Sequence, residues 1–417
     1  MSEQKIVSEQ KKVGLVIAGA AARGAYEAGA LSVLIPELAQ KRKRPTVLVG
    51  SSAGGINAFL LAQYSDLAAK EAVKKIEEVW AGIELSSVLS PILPTALDTG
   101  VVSLAEFLGI PGVRLKAFFD TAPLRATVER HFEADRLHRN IQDKQVHALA
   151  LAATAPNGRT TVFVETASAE VPKTDKERAI DYVSSKITPD HVLASAAIPV
   201  LFPPVWVNDP AKASGWYRDG LVRLNAPIKP ALALGAEQLA LVASEPDAYP
   251  PPERKPFEHE EPDIEDGAAQ LLHAVLADHM VEDILAFHKV NQLVDQLAHQ
   301  QQMPRSGVQI VKKDEEKKKN GHSYKFVDSI FAGPDKPGLL GKAAEAYYEK
   351  HYASGWKFLS PFTLLGRLLG NNSKSRGELL SWLFFEPKFL KEIIEMGKRD
   401  AERRLKDAQD SNAFPFN

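Results

Sequence analysis

The chain of 417 residues contains no cysteine, which excludes disulfides, thiolate metal sites and a cysteine nucleophile together. It has no excess of either charge. Lys and Arg number 51 against 53 Asp and Glu, a formal net charge of -2, so nothing in the global electrostatics calls for nucleic acid and no such partner is expected. No run approaches the ~18 uninterrupted apolar residues of a spanning helix. Residues 1–12 are polar and charged, without the apolar stretch of a secretory leader. A cytoplasmic protein is therefore expected, one that meets a membrane only peripherally. Asp, Glu and His are scattered without zinc or calcium spacing, so neither a metal nor a cofactor is expected. The sequence carries no signal for an oligomeric state.

Hydrophobic residues make up 45% and charged residues 25%, the composition of an ordinary globular protein able to bury a large core. Val13-Gly14-Leu15-Val16-Ile17-Ala18 is apolar on both faces, as buried parallel strands are. The small-residue loop Gly19-Ala20-Ala21-Ala22-Arg23-Gly24 follows, and then helical spacing from Ala25 to Leu38. Thr46-Val47-Leu48-Val49 and the helix after it complete a βαβα start, which predicts a parallel sheet covered by helices. The run Lys41-Arg42-Lys43-Arg44 is expected as a solvated loop into that second strand. Val146–Ala152 and Thr160–Val164, separated by Asn157-Gly158, predict a hairpin, and Leu239–Ala243 another buried strand.

Beyond these, Glu245 to Asp266 is rich in Pro, Glu and Asp and is expected as a surface excursion. Gly267 to Gln300 has helical spacing, Gly307 to Val327 suits a hairpin with a charged tip, and Pro337 to Lys406 is mostly helical. The expected division is a flexible N-terminus over 1–12, an α/β domain over 13–245, a helical extension packed on it over 246–406, and a flexible tail over 407–417.

Chemistry concentrates at Gly50-Ser51-Ser52-Ala53-Gly54, which lies directly between the Thr46 strand and Gly55-Ile56-Asn57-Ala58-Phe59. A G-x-S-x-G turn between strand and helix is a nucleophile elbow: small neighbours let the backbone bend sharply and expose the serine oxygen. The amides at the start of the helix favour negative charge at the same spot. The alternative is an anion-binding turn. The Gly19–Gly24 loop ends the neighbouring strand, at the carboxyl edge where open α/β sheets bind ligands. Its amides could complete an oxyanion hole, and it is neither a P-loop nor a dinucleotide turn. No histidine stands in a motif; Asp219, in Tyr217-Arg218-Asp219-Gly220-Leu221, is the better candidate for a base, although Asp-Gly alone is commonly a turn.

In order and spacing, Val13–Tyr26, Gly50–Gly54 and Asp219-Gly220 resemble the patatin-like phospholipase family, as do Val192–Pro199 with Phe202-Pro203-Pro204, and Asn225-Ala226-Pro227-Ile228. The resemblance covers residues 13 to about 245, and Glu378–Ala401 resembles the helical extension of bacterial members. It implies a three-layer α/β/α fold with a mainly parallel central sheet plus a C-terminal, mostly helical extension. It also implies a Ser-Asp dyad without histidine, in which Ser52 attacks a lipid ester and Asp219 takes its proton. Two positions depart from the family pattern G-G-G-x-R/K-G and Asp-Gly-Gly/Ala. Ala20 and Ala21 replace the second and third glycines, and Leu221 replaces the last small residue. Alanine keeps its amide but tolerates positive φ poorly. Arg23 fits the family's basic position, where it would order the loop or face an anionic head group.

Two further readings follow. One is a catalytically weak lipid- or partner-binding protein with an impaired oxyanion loop. The other is an α/β-hydrolase triad whose histidine comes from the region His259 to His351. The segments Trp356–Leu359 and Phe362–Leu369 suit either an interfacial helix or packing on the core, whereas Leu379–Leu390 is expected in the core.

Overall fold

The computed structural model describes residues 11–91, 119–168, 170–199, 201–220, 223–224, 226–248, 279–305, 310–311, 323–353, 362, 376–410 and 416. β1 (Val13–Ile17) runs through a short 3-10 turn (Ala21–Arg23) into α1 (Gly24–Gln40). Then follow β2 (Val47–Ser51), α2 (Ala53–Gln63), α3 (Ala69–Ala81), α4 (Leu85–Val88) and β3 (Ser90–Pro91). After β4 (Phe119–Asp120) come α5 (Ala122–His131), α6 (Ala134–Gln142), the hairpin β5 (Ala148–Thr154) and β6 (Thr160–Thr166), and β7 (Ile180–Ser184). The chain continues through α7 (Pro189–Ser195), β8 (Val205–Val207), β9 (Gly215–Asp219), α8 (Ile228–Ala233) and β10 (Gln238–Val242). Its remaining part contributes α9 (His279–Gln301), β11 (Ile310–Val311), β12 (Ser323–Tyr324), β13 (Asp328–Ala332), α10 (Leu339–His351), α11 (Arg376–Leu383) and α12 (Pro387–Asp410).

The central sheet has the order β13-β10-β1-β2-β5-β6-β7. The first five strands are parallel, β5 and β6 are antiparallel, and β6 and β7 are parallel. The fold is thus a mixed, mostly parallel sheet between helices, as expected. Strand periodicity distributes the core: Leu15, Ile17 and Leu48 face one side, with α1, α2 and α12, and Val16, Val47 and Val49 face the other, with α8 and α9.

The sheet takes one strand from a region expected to be only extension. β13 lies parallel to β10 at the sheet edge, with Ala240 opposite Ile330. Its period-two pattern is short and borders the charged β11–β12 hairpin, whose arms pair through Ile310 and Tyr324. The helical extension packs chiefly through α12 on α1. A Cβ at Gly29 would strike the Ile394 carbonyl, and one at Gly397 would strike the Tyr26 carbonyl, so the two backbones approach through reciprocal glycines. Tyr26 Oη then donates to Asp400 Oδ2 at 2.8 Å. Trp382, Phe384, Phe389 and Leu390 are buried, in agreement with the expectation for that stretch. Phe362 packs its ring against Phe384, centroids 4.7 Å apart; the rest of 354–375 lies outside the described residues.

Candidate active site at the carboxyl edge of the sheet

Ser52 follows the last residue of β2 and caps α2. Its backbone has φ 55° and ψ -133°, a conformation that costs a non-glycine residue roughly 1–3 kcal/mol and is held only by its surroundings. Those surroundings are close at hand. Gly50 lies against Gly54 and Gly55 in the first helical turn, Gly54 lies on the carbonyls of Ile17 and Ala18, and Ala53 and Ser51 are buried. The Ser52 amide donates to the Ser195 carbonyl at 3.0 Å and lies 3.2 Å from Ser195 Oγ. The amides of Gly55 and Ile56 return to the Ser52 carbonyl and start the helix.

Asp219 reaches the same place by strand geometry. β2 pairs with β5 only as far as Ser51 opposite Ala152, because the chain then turns into α2. β6 occupies the other edge of β5 through Thr154. The next residues of β5, Ala153 and Thr154, pair with Asp219 and Arg218 of β9, so β9 takes the edge that β2 leaves. The Asp219 amide donates to the Ala197 carbonyl at 2.9 Å, two residues after the carbonyl that holds Ser52. Gly220 lies against the Ala152 carbonyl and Ser51 Oγ. Ser51 and Asp219 therefore lie opposite successive residues of one strand end, Ala152 and Ala153, and Ser52 and Asp219 are both almost fully buried (1% and 0% exposed). Leu221 lies outside the described residues.

The Gly19–Gly24 loop is the third part. Gly19 lies directly on the elbow, where a Cβ would strike Ser51 and Ser52. The two alanines differ sharply. Ala20 has φ -158°, extended backbone open to any residue, whereas Ala21 has φ 50°, in the left-handed region that favours glycine. Ala22 is buried, and the Arg23 amide closes the turn on the Ala20 carbonyl at 3.0 Å.

Arg23 does not face solvent. It is 1% exposed, donating Nη1–H to Glu245 Oε1 at 2.6 Å and Nε–H to Ser381 Oγ at 2.8 Å. Its Nη2 also bonds Ser381 and Glu378, and the guanidinium stacks on Trp382 at 4.9 Å. Burial works against its charge, yet the carboxylates of Glu378 and Glu245 more than offset that and raise its pKa. Of the two roles expected for Arg23, ordering the loop is the one these contacts support. Glu245, expected to open a surface excursion, is buried because Arg23 needs a counter-charge; the stretch from 249 to 266 lies outside the described residues.

Behind the loop, Asn57 of α2 donates to the Gly24 carbonyl at 3.0 Å and to Glu27 at 3.1 Å, and accepts from Trp80 Nε1 at 2.7 Å. Burial pushes the Glu27 carboxyl well above its ordinary pKa, partly opposed by the Asn57 bond.

A pocket with about 660 Å³ of empty space, open solvent included, has Ala21, Ser52 and Ala53 in its lining. Its walls are Ile56, Phe59, Trp80, Leu124, Val128 and Phe202 among other apolar residues, with Thr127 and His131 among its few polar ones. Burial and the Arg130 charge hold His131 below the usual imidazole pKa. Sequence reasoning passed over His131, Ser195 and the partners of Arg23. Ser195 sits inside a block that carried the resemblance; the others have no local signal. Of the histidines after Asp219, His288, His299 and His351 do not line this pocket, His279 belongs to α9, and His259, His273 and His322 lie outside the described residues. Among the described residues no group of His, Asp and Glu could hold a metal ion.

The sequence model of the patatin-like phospholipase family matches residues 15–232, more than half of the chain. None of the curated proteins matches it by sequence. Among solved structures, the crystal structure of VipD from Legionella pneumophila aligns over 93% of this chain and 67% of that one, with 13% identity and a TM-score of 0.32. On the extent of the family match, the chain belongs to the patatin-like phospholipase family.

Proposed function

We propose that the protein is a serine lipid acyl hydrolase, releasing fatty acids from phospholipids or related glycerolipids. The observation that carries this is the pocket: an almost wholly apolar cavity whose wall includes Ser52 itself, suited to an acyl chain with its ester at the serine. Ser52 Oγ attacks the carbonyl carbon while its proton passes to the Asp219 carboxylate. The oxyanion is taken by amides of the Gly19–Gly24 loop and of the first turn of α2. The alkoxide leaves with the proton from Asp219, and water repeats the sequence on the acyl-enzyme to return free serine. No metal or cofactor enters these steps.

An assay across phospholipids and acylglycerols tests this. Ser52→Ala and Asp219→Asn are each expected to lose about 10⁴-fold or more in kcat with unchanged melting temperature, and a fluorophosphonate should label Ser52 alone. Full activity in Ser52→Ala would end the proposal. One observation favours a second reading, a lipid-binding protein of weak turnover: Ala21 holds a strained conformation and lines the pocket. Acyl-chain binding without hydrolysis in the wild type would select it.

A lipid substrate also needs a meeting surface. Among the described residues no helix is long and apolar enough to cross a membrane. The β8–β9 ribbon, however, exposes Trp206 and Trp216 (42% and 48%). They form an opposed pair, with Arg218 on the same strand face and Lys212 at the tip. Phe202 of the pocket precedes the ribbon and Asp219 ends it. Tryptophan suits the boundary between water and lipid, and we assign peripheral contact to this ribbon. Trp206→Ala/Trp216→Ala should cut vesicle sedimentation and vesicle hydrolysis at least fivefold while leaving hydrolysis of a soluble short-chain ester within twofold. Unchanged sedimentation would rule the ribbon out.

A further inference from the structure

We infer that Glu378, Ser381 and Trp382 of α11 are positioning residues for the Gly19–Gly24 loop, acting through Arg23, so that the C-terminal extension completes the site. The loop itself has little local support. Its 3-10 turn has no side-chain cap, and one of its three turn residues, Ala21, stands at positive φ. A strained turn keeps its shape only where its neighbours impose it.

Those neighbours come from far along the chain. Arg23 spends its Nε–H and Nη–H donors on Ser381 Oγ, Glu245 and Glu378, a planar fork engaged on more than one edge, which fixes the guanidinium in orientation as well as place. Trp382 closes one face of that plane. Ser381 Oγ is itself oriented by donating to the Glu378 carbonyl at 2.6 Å. The Glu378 carboxylate lies against Gly341 in the first turn of α10 and near its cap, Gly338, where the helix dipole favours negative charge. The link therefore runs from α10 through Glu378 to Arg23, and from Arg23 through the turn to Gly19, which rests on Ser52.

The catalytic readout rests on the proposed hydrolase reading; the structural readout does not. Glu378→Gln keeps the shape and removes the charge, Ser381→Ala removes the acceptor, and Trp382→Phe keeps an apolar face. Each is measured in the full chain, per active site titrated with the serine probe. Each is expected to lower kcat about tenfold, as a displaced oxyanion donor does in mild form, with KM within twofold. In an Arg23→Met background, Glu378→Gln should add less than twofold, because the path through Arg23 is already cut. A kcat per titrated site within twofold of wild type in Glu378→Gln and Trp382→Phe, or full additivity with Arg23→Met, overturns the inference. Should the wild type hydrolyse no ester at all, the hydrolase reading fails separately. Amide exchange over residues 19–24 then decides: faster exchange in Glu378→Gln supports the clamp, and unchanged exchange removes it.

Discussion

Two turns contribute to the pocket wall, both strained and both buried, and they are built in opposite ways. The Ser52 elbow is held by backbone: its own helix, the glycines on either side, and the carbonyl of Ser195 in the same α/β unit. The Gly19–Gly24 turn is held by a side chain, Arg23, whose partners are 222 and 355 to 358 residues away. The elbow thus takes its geometry from the α/β unit alone. The loop takes part of its geometry from the extension, through Glu378 and Ser381, and changes in the extension can reach the chemistry without touching a reacting atom. The Asn57 network beneath them joins the two, since one side chain of α2 holds both Gly24 and Glu27 of α1.

The same contrast explains what the sequence made legible. A strand, a small-residue turn and a helix are local facts, so the elbow and the βαβα start could be read from residues 13–62, and the turn dipeptide Asn157-Gly158 gave the β5–β6 hairpin. Asp219 was a bare Asp-Gly pair until the order of several blocks singled it out; that β9 takes the strand edge left by β2 is a property of the sheet, invisible in one dimension. Glu245 opened a stretch whose Pro, Glu and Asp content suggested a surface, yet it is buried because a buried guanidinium lies opposite. β13 escaped because five residues beside a charged hairpin resemble any short edge strand. The departure at Ala20 and Ala21 was visible as a pair of substitutions, but only the backbone separates the harmless one from the strained one.

The largest expected effect stays with the elbow: Ser52→Ala removes turnover altogether, whatever the state of the loop. Next comes Ala21→Gly, which should break the contrast by easing the strain on the remotely held turn. Left-handed backbone costs an L-residue about 1–2 kcal/mol, and glycine's greater freedom in the unfolded chain returns roughly 0.5–1 kcal/mol of that. Stability should rise by no more than about 1.5 kcal/mol, while kcat on a phospholipid rises severalfold as the loop amides settle. Ala20→Gly, at an extended residue, should gain nothing in rate. Equal gains from both, measured side by side, would show that the strain at Ala21 is irrelevant.

The smallest effect probes the network that ties the two turns together. Glu27 is fully buried, and its carboxyl stands well above the ordinary value of 4.5 because of that burial. The folded protein therefore keeps a proton on Glu27 that the unfolded chain has already released. Below pH 4.5 both states hold it and stability owes nothing to the difference; as pH rises from there towards the raised value, stability falls by at most about 1.4 kcal/mol for each unit. Glu27→Gln imitates the protonated acid and keeps an oxygen for the Asn57 amide. Its melting temperature should match that of the wild type near pH 4 and exceed it increasingly as pH rises. Because the folded carboxyl keeps its proton along that interval, the Asn57 bonds to Gly24 and Glu27 stay unchanged there, and the kcat of wild type and variant should run in parallel while their melting temperatures diverge. Parallel melting curves across that interval would mean that Glu27 is ionised in the fold and that the joint between elbow and loop is not a neutral one.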